Sequence, residues 1–572
     1  MNNISLTQAD PSADLGGESS RNLLMLVWVV SLTVSFFILV PNSDDIFYFG
    51  PALGLATKGV LAVPMDNTNV YLFSIFGTYS FFQGIFLFVT NLLGLPVHFF
   101  TYRLFQSLVV MGSLVFALRT FWLARPADVR GNANRQALFL GLLAFTPFSM
   151  ALLPVRPEFL GCLFLFGALS AFGRYVRKET GWGSLLLTGI LLGLSAVSHP
   201  VFALPSAAWS IVAAYQLWQR KSRSLAAPLF LLFSALLPLF AMAAFYGLHY
   251  PESLVEIQGH GRELTQQTAE SNALWTGLLE RVRRIFLLVP PWQIRVLDAL
   301  FYLPLFVILF MVIAVGWRQD VRRSEGSLVP DRPVMTLMPF QWVIWLTVPL
   351  CLFLVYDMRI FDGLIAFFAT WALAHATGDR LILWSRGWMG ARARRFLLWV
   401  TCACILAWPA AHTAKLLLAP DAYMNPFKMR ALLEQLPGSV TSLLIENPEG
   451  VPLFLGELQD TILRGDQAPR RTYWVFPQLG SMTSNETASW MISFLSGLRD
   501  ESGRYQVGWY FNRHHLHLND KTGQYCASFP KAGYDAELRL SGFEVALHGV
   551  HIIHKDRRNV LLTTNDFSLG CP

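Results

Sequence analysis

Long apolar runs, each of about 18–22 residues, recur through the first 415 positions and are separated by short polar segments. An α-helix needs about 20 apolar residues to cross the hydrocarbon core of a bilayer, because each residue adds only about 1.5 Å. The pattern therefore predicts eleven membrane-spanning helices. They lie near residues 22–40, 101–123, 136–153, 159–176, 184–198, 200–218, 225–246, 297–316, 337–356, 360–382 and 396–415.

Composition supports an integral membrane protein and excludes an ordinary soluble one. Hydrophobic residues make up 54% of the 572-residue chain and charged residues 14%, whereas soluble domains carry about 25% charged residues. The formal net charge of +7 falls mainly in short loops between apolar runs. This placement indicates membrane orientation and does not indicate a nucleic-acid partner.

Basic residues occupy every second loop, and positive loops face the cytoplasm. The other loops are then predicted to face outward: 41–100, 154–158, 199–200, 247–296, 357–359 and everything after about 416. Residues 1–20 are polar and predict a disordered cytoplasmic tail, and the first span lacks a cleavage site and is expected to remain as an anchor. The basic loops contain Arg125, Arg130, Arg135; Arg174, Arg177, Lys178; Arg220, Lys221, Arg223; Arg318, Arg322, Arg323; and Arg386, Arg392, Arg394, Arg395.

The first outer loop, 41–100, contains a second apolar stretch from Tyr79 to Phe100. Gly84, Asn91 and Pro96 interrupt this stretch. A further span here would reverse the sides of all later basic loops. We therefore predict an amphipathic segment that lies along the outer surface.

Beyond residue 416 the chain becomes more polar, and short alternating runs predict β-strands separated by turn residues. This part is predicted to be a soluble extracytoplasmic domain, 416–572, of mixed α/β structure. Cys526 and Cys571 could pair there, since disulfides form outside the cytoplasm. The predicted strands are 440–445, 472–476, 505–511, 537–540 and 560–564. The fold class predicted is thus a polytopic α-helical membrane domain, 21–415, followed by this outer domain.

Two adjacent acids, Asp44 and Asp45, follow the first span almost at once. A carboxylate pair at the membrane surface is costly to hold and contributes little to packing, so it is a candidate functional site. Ser43 can cap a helix that begins at the acids, and the helix dipole then favours the ionised form. Gly50 and Pro51 are expected to break or restart this helix. The alternative is two acids at the start of a helix on a solvated loop.

Three later outer turns also carry polar groups next to apolar spans. Arg156 could bind a phosphate through its guanidinium, Glu158 could orient it or hold an acceptor hydroxyl, and His199 could donate to a phosphate. Asp357 and Arg359 form a similar turn, in which Arg359 could clamp a phosphate. Ordinary charged turns and a structural histidine are the alternatives.

No sequence motif indicates a different kind of chemistry. The chain has no nucleotide-binding glycine loop, no Ser-His-Asp arrangement and no ATPase signature, and the C-terminal histidines lack companions that would complete a metal-ligand set. Acids and arginines on one membrane face, without an energy-coupling motif, suggest transfer from an already activated, lipid-linked donor.

Residues 20–125 resemble the GT-C superfamily of integral membrane glycosyltransferases. The resemblance is to the branch that includes the protein O-mannosyltransferases, the aminoarabinose transferases and the arabinofuranosyl transferases. The resemblance is carried by a span leading into Asp44-Asp45, then Tyr48 and a small-residue helix. The segment Thr57-Lys58-Gly59-Val60-Leu61-Ala62-Val63-Pro64 follows, and Leu93-Gly94-Leu95-Pro96 precedes Arg103, which opens the second span.

The resemblance implies a polyprenyl-phosphate sugar as donor, an outer-face active site and one acid of the first outer loop as general base. By position that acid is Asp44 or Asp45, and Lys58 joins the substrate-binding candidates. The acceptor would be a hydroxyl of a glycan, lipid or protein, and the location a multi-pass protein of a bacterial inner membrane. Some members use a divalent cation and others do not, so this cofactor stays open.

Two other classes of function compete with the transferase. A carrier or flippase for a lipid-linked glycan predicts ionisable residues in mid-span, where this chain has almost none. A non-catalytic partner in envelope assembly predicts that changes at Asp44 and Asp45 leave function intact.

Overall fold

The computed structural model describes most of the N-terminal half and parts of the C-terminal half. The described positions are 16–38, 43–59, 61, 77–95, 99–124, 129–146, 148, 157–177, 181–220, 224–249, 364, 367–368, 370–375, 390–418, 432, 434–446, 472–476, 507–529, 543–556 and 559–571. The predicted spans 297–316 and 337–356 lie outside them, as does the predicted strand 537–540.

The helices follow the predicted apolar runs. Their bounds are α1 Gly16–Ile38, α2 Ser43–Lys58, α3 Gly77–Leu92, α4 Phe99–Ala124, α5 Val129–Leu143, α6 Glu158–Val176, α7 Trp182–Ser198, α8 Ala203–Arg220, α9 Ala226–His249 and α10 Ala391–Leu418, with a 3-10 turn Pro200–Phe202 between α7 and α8. Residues 370–375 are also helical.

Within the described ranges, four helices are long and apolar enough to cross a membrane: Gly17–Phe36, Thr101–Leu123, Glu158–Val176 and Ala226–His249. A shorter apolar helix is Trp182–Ser198. These match five of the predicted spans. The protein is therefore a helical, integral membrane protein, as the hydrophobic pattern predicts.

One predicted span is misplaced. The run 136–153 was expected to form a helix, but α5 ends at Leu143 and residues 144–146 form a turn. The residue before a proline is disfavoured in a helix, and Thr146 precedes Pro147. The Thr146 hydroxyl also donates to the Leu143 carbonyl at 3.0 Å and so occupies an oxygen at the end of the helix.

The helix α3 lies within the apolar stretch of the first outer loop. It has 16 residues, fewer than a perpendicular crossing requires. Ile85, Phe88, Val89 and Leu92 are exposed on it, at the i, i+3, i+4, i+7 spacing of one helical face. Its surface orientation remains a prediction.

The chain divides into two compact units. One comprises residues 1–37, 73–79 and 104–410, and the other comprises 38–72, 80–103 and 411–572. The predicted division into residues 1–20, 21–415 and 416–572 remains a prediction.

In the first unit, α7 and α9 approach closely along two glycines. A Cβ atom added to Gly189 would lie 2.7 Å from the Leu231 carbonyl oxygen and 2.5 Å from the Ser234 Cβ, and one added to Gly193 would meet the backbone of Ala235. Small residues four apart let membrane helices pack backbone against backbone. The pair Gly189 and Gly193 therefore sets the distance between α7 and α9.

Gly189→Ala is expected to destabilise the protein, since the contacted Leu231 oxygen belongs to backbone and cannot rotate away. Overpacking of this kind costs about 1–3 kcal/mol. Gly183 is a matched control on the same helix, because an added Cβ there meets nothing within 4 Å. Gly183→Ala should be neutral or stabilising by up to about 1 kcal/mol, since alanine favours helix. Thermal unfolding of both variants in detergent measures this. Equal effects at the two glycines would contradict the packing role of Gly189.

The C-terminal part of the second unit contains two facing sheets. The strands are β1 Ser442–Glu446, β2 Thr472–Phe476, β3 Val507–Asn512, β4 Leu516–Asn519, β5 Gln524–Phe529, β6 Phe543–His548, β7 His551–Lys555, β8 Asn559–Thr564 and β9 Asp566–Leu569. One sheet has the order β2-β1-β3-β8-β7 and the other β4-β5-β6-β9. β1 is parallel to β2 and β3, while the remaining pairs are antiparallel.

The core of this part lies between the two sheets. Trp509 and Phe511 of β3 are fully buried with Val545 and Leu547 of β6, and the Trp509 ring meets Phe567 edge-on at 5.5 Å. The indole N–H of Trp509 donates to the Thr564 hydroxyl at 2.9 Å, so no polar atom of that ring is left unsatisfied. The predicted sheet-containing domain is thus confirmed as a fold.

Four of the predicted strands are found at or near their predicted bounds, and 472–476 matches them fully. The strands from β4 to β7 and β9 were not predicted. His515 lies in a 3-10 turn, Arg513–His515. Cys526 and Cys571 form a disulfide with a Cα–Cα distance of 6.1 Å, which ties β5 to the residues after β9.

Candidate active site

The adjacent acids lie at the start of a helix. α2 begins at Ser43, so Asp44 and Asp45 occupy its first turn, as the sequence predicts. The unpaired N–H groups and the dipole at a helix N-terminus stabilise negative charge. The position therefore favours negative charge, which suits a general base or a cation ligand.

The expected break at Gly50 and Pro51 is wrong, because α2 continues through Pro51 to Lys58. A proline inside a helix removes one hydrogen bond, and packing must offset the loss. Phe49, Ala52 and Leu53 are fully buried around it. Their tertiary contacts explain why the helix does not end there.

α2 packs against aromatic and small side chains of the same unit. The Phe49 ring lies 4.8 Å from the ring of Tyr102, and the guanidinium carbon of Arg103 lies 5.4 Å from the centre of that tyrosine ring. A Cβ atom on Gly84 would come within 2.7 Å of the Leu55 side chain, so α3 approaches α2 closely at this glycine. Tertiary packing therefore holds the helix that carries the acids in place.

A second polar cluster in the first unit joins two of the predicted site residues. The Nε2 atom of His199 lies 3.5 Å from Oε1 of Glu158, and the two side chains are 0% and 4% exposed. Glu158 is the first residue of α6, and His199 is the C-cap residue that directly follows α7. Carboxylates are favoured at a helix start, which suits Glu158 to its place.

The hydrogen bonds around His199 assign its tautomer. The backbone N–H of Val201 donates to His199 Nδ1 at 3.2 Å, so that nitrogen must present a lone pair. A neutral imidazole then carries its proton on Nε2, the atom that faces Glu158. The imidazole N–H thus points toward the carboxylate.

Neighbouring helices brace this cluster through backbone oxygens. Ser195 of α7 donates to the carbonyl of Gly161 in α6 at 2.9 Å, and Ser113 of α4 donates to the carbonyl of Phe159 at 2.9 Å. Thr78, at the start of α3, donates to the carbonyl of Val197 at 2.8 Å. The beginning of α6 and the end of α7 are therefore held in one arrangement.

The remaining predicted site residues fall in other places. Lys58 is the last residue of α2, and Gly59 follows with a positive φ of 71°, a conformation that ends helices and suits glycine. Arg156, Asp357 and Arg359 lie outside the described residues. Asp44 and Asp45 belong to the second unit, whereas Glu158 and His199 belong to the first.

Two buried polar groups were not proposed as site residues from the sequence. Arg103 is only 1% exposed within a membrane-spanning segment, and a charge inside a span is the signal that could have identified it. His375 is the other: its Nε2 lies 2.9 Å from the Thr120 hydroxyl, which also accepts the indole N–H of Trp371 at 2.8 Å. Nothing in the sequence pattern pairs Thr120 with His375.

Among the residues that the structure describes, no three histidine, cysteine or acidic side chains come together in a way that could hold a metal ion.

Solved structures show what the arrangement resembles. No protein-family model and no curated protein matches this sequence. The crystal structure of ArnT from Cupriavidus metallidurans bound to undecaprenyl phosphate is similar, with a TM-score of 0.51, 11% identity and coverage of 95% of this chain and 97% of that chain. The apo structure of the same ArnT has a TM-score of 0.52 at the same identity and coverage. The likeness extends over nearly the whole of both chains. The chain therefore has the fold of ArnT, which agrees with the GT-C-like fold class predicted from the sequence.

Proposed function

We propose that this protein is a membrane glycosyltransferase that moves a sugar from a polyprenyl-phosphate donor to an acceptor hydroxyl. The observation that carries the proposal is the likeness to ArnT over 95% of this chain. That ArnT structure contains undecaprenyl phosphate, a lipid of the class proposed here as the leaving group. The acid pair at the start of α2 supports the same reading.

In the proposed reaction, one of Asp44 and Asp45 accepts the proton of the acceptor hydroxyl. The hydroxyl oxygen then attacks the anomeric carbon of the sugar, and the bond from that carbon to the phosphate oxygen breaks. Polyprenyl phosphate leaves with the bonding electrons, and the anomeric configuration inverts. Positioned base catalysis of this kind contributes about 10²–10⁴-fold to a rate.

The leaving phosphate needs cationic partners, since negative charge develops on it in the transition state. We assign this role to Arg156 and Arg359, with Lys58 as a further cation and Asp357 as the acid that orients Arg359. Glu158 and His199 are buried, so we assign them as positioning residues. Their contact fixes the first turn of α6, which directly follows Arg156 and Pro157 in the chain.

We place the reaction and the C-terminal sheets on the extracytoplasmic side of a bacterial inner membrane. The alternation of basic loops supports this orientation. The Cys526–Cys571 disulfide supports it as well, because such bonds persist in oxidising compartments and are rare in the cytosol.

A transfer assay tests the proposal. Full-length protein, purified and reconstituted in liposomes, is given a panel of labelled polyprenyl-phosphate sugars and pooled glycan, lipid and protein acceptors from bacterial envelopes. We expect one donor to yield labelled acceptor and an equal amount of free polyprenyl phosphate.

Two results would contradict the transferase. Movement of an intact donor between leaflets without release of polyprenyl phosphate would indicate a carrier. No turnover and no binding of any donor in the panel would indicate a non-catalytic partner.

A further inference from the structure

A groove of about 380 Å³ lies between α1 and α4. Both helices are long and apolar enough to cross a membrane. The groove is formed where α1 begins and α4 ends, which is one end of each span. It is lined by Arg21, Asn22, Met25, Val115, Leu118, Arg119, Trp122 and Gln136.

The lining is arranged as two helical stripes with a polar end and an apolar end. Arg21 and Met25 are four residues apart on α1, and Val115 and Arg119 are four residues apart on α4, so each pair shares a helix face. One turn of helix therefore separates the two arginines from the apolar side chains. The described lining contains two cations and no carboxylate.

Hydrogen bonds restrain the side chains at the polar end of the groove. Arg21 donates from Nε and Nη2 to the Asn22 side-chain oxygen at 3.0 and 2.8 Å, and from Nη1 to Gln136 Oε1 at 3.4 Å. Gln136 itself donates to the Leu118 carbonyl at 2.8 Å, which connects α5 to α4. The arginine is thus restrained at the junction of three helices.

The second cation completes the polar end from the other helix. Arg119 is exposed, and Trp122 stands one turn beyond Leu118. Tryptophan is enriched at the level of lipid headgroups, where its ring meets both apolar chains and water. Arginine binds phosphate through a planar pair of donors. A cavity with cations at a headgroup level and aliphatic walls below has the chemistry of a phospholipid site.

We propose that this groove binds one anionic phospholipid. Its phosphate lies between Arg21 and Arg119, and the first part of one acyl chain lies along Met25, Val115 and Leu118. A volume of about 380 Å³ falls at the lower end of small-ligand pockets, which suits a headgroup phosphate and a short length of chain. This lipid proposal does not rest on the transferase proposal.

Native mass spectrometry of the full-length protein, titrated with phosphatidylglycerol and with phosphatidylcholine, tests the site. We expect one retained phosphatidylglycerol, and the Arg21→Gln/Arg119→Gln double variant is expected to bind it at least about tenfold more weakly, in line with the loss of two charge-assisted contacts. The Arg392→Gln/Arg394→Gln variant is the matched control. It removes the same charge from exposed positions at the start of α10, outside the groove, and should bind like the wild type.

Further arms distinguish a lipid from a free anion. Met25→Trp fills the apolar end and keeps both arginines, so it should weaken phosphatidylglycerol binding without affecting inorganic phosphate. Wild-type affinity in the Arg21→Gln/Arg119→Gln variant, or an equal loss in the control, would overturn the site. Displacement of the lipid by inorganic phosphate, together with unchanged binding in Met25→Trp, would show an anion site and overturn the lipid assignment. Thermal unfolding of each variant confirms that it is folded.

Discussion

Replacing the catalytic aspartate, which is either Asp44 or Asp45, by asparagine is expected to lower the transfer rate by about 10²–10⁴-fold. Asparagine has nearly the size of aspartate and still accepts a hydrogen bond, but it cannot take up the acceptor's proton. The loss should therefore fall on kcat, with little change in KM.

One of the two single variants should show most of the effect. Both acids lie in the first turn of α2, and adjacent residues of a helix are rotated by about 100° from each other. Only one carboxylate can then face a given acceptor hydroxyl. The double variant should be only slightly slower than the more affected single variant, because the effects of residues that serve one step do not add.

Kinetics of Asp44→Asn, Asp45→Asn and the double variant, measured with the active donor, check this result. Glu18→Gln is the control, since Glu18 also lies in the first turn of a helix and is exposed. It should retain wild-type turnover. Full activity in both single variants and in the double variant would remove the first-loop base from the proposed mechanism.

His199→Ala is expected to destabilise the folded protein by about 1–3 kcal/mol, the cost of leaving a buried polar group without its partner. Glu158 stays buried at the helix start, and its carboxylate loses the imidazole N–H that lies 3.5 Å away. Leaving a buried acceptor without its donor costs more than the contact itself contributes.

A double-mutant cycle separates this effect from lost packing. Glu158→Met/His199→Ala removes the charge together with its partner, so it should be more stable than His199→Ala alone. Ser195→Ala, which loses one hydrogen bond from α7 to the Gly161 carbonyl, should cost only about 1 kcal/mol. Glu158→Met alone completes the cycle, and unfolding in detergent is measured for the wild type and these four variants. The proposed coupling is wrong if His199→Ala costs no more than Ser195→Ala, or if the two changes at 158 and 199 simply add.

The helical membrane part was largely predictable, because the requirement for apolar length acts on each span separately. Four apolar runs appear as helices of spanning length, and α2 begins at Ser43, directly before the acids. The errors share one cause. Whether a proline ends a helix, as in the turn after Leu143, or is tolerated, as in α2 at Pro51, depends on the surrounding packing. A short stretch of sequence contains no information about packing with distant residues.

The C-terminal sheets were predictable only in part. The strand 472–476 consists entirely of β-branched and aromatic residues and is found with the predicted bounds, whereas the strands between 516 and 555 were not predicted. Strands are stabilised by neighbours across the sheet, so their identity depends on pairing that single-segment patterns do not contain.

The sequence by itself determined that this is a polytopic helical membrane protein with acids at the start of a helix after the first span. It could do so because hydrocarbon imposes length and polarity on every span regardless of its neighbours. Only the tertiary structure decided that Glu158 meets His199, that glycines bring α7 against α9, and that Arg21 and Arg119 share a groove. Such meetings join residues far apart in the chain, and they arise from the packing of whole helices, which no local pattern specifies.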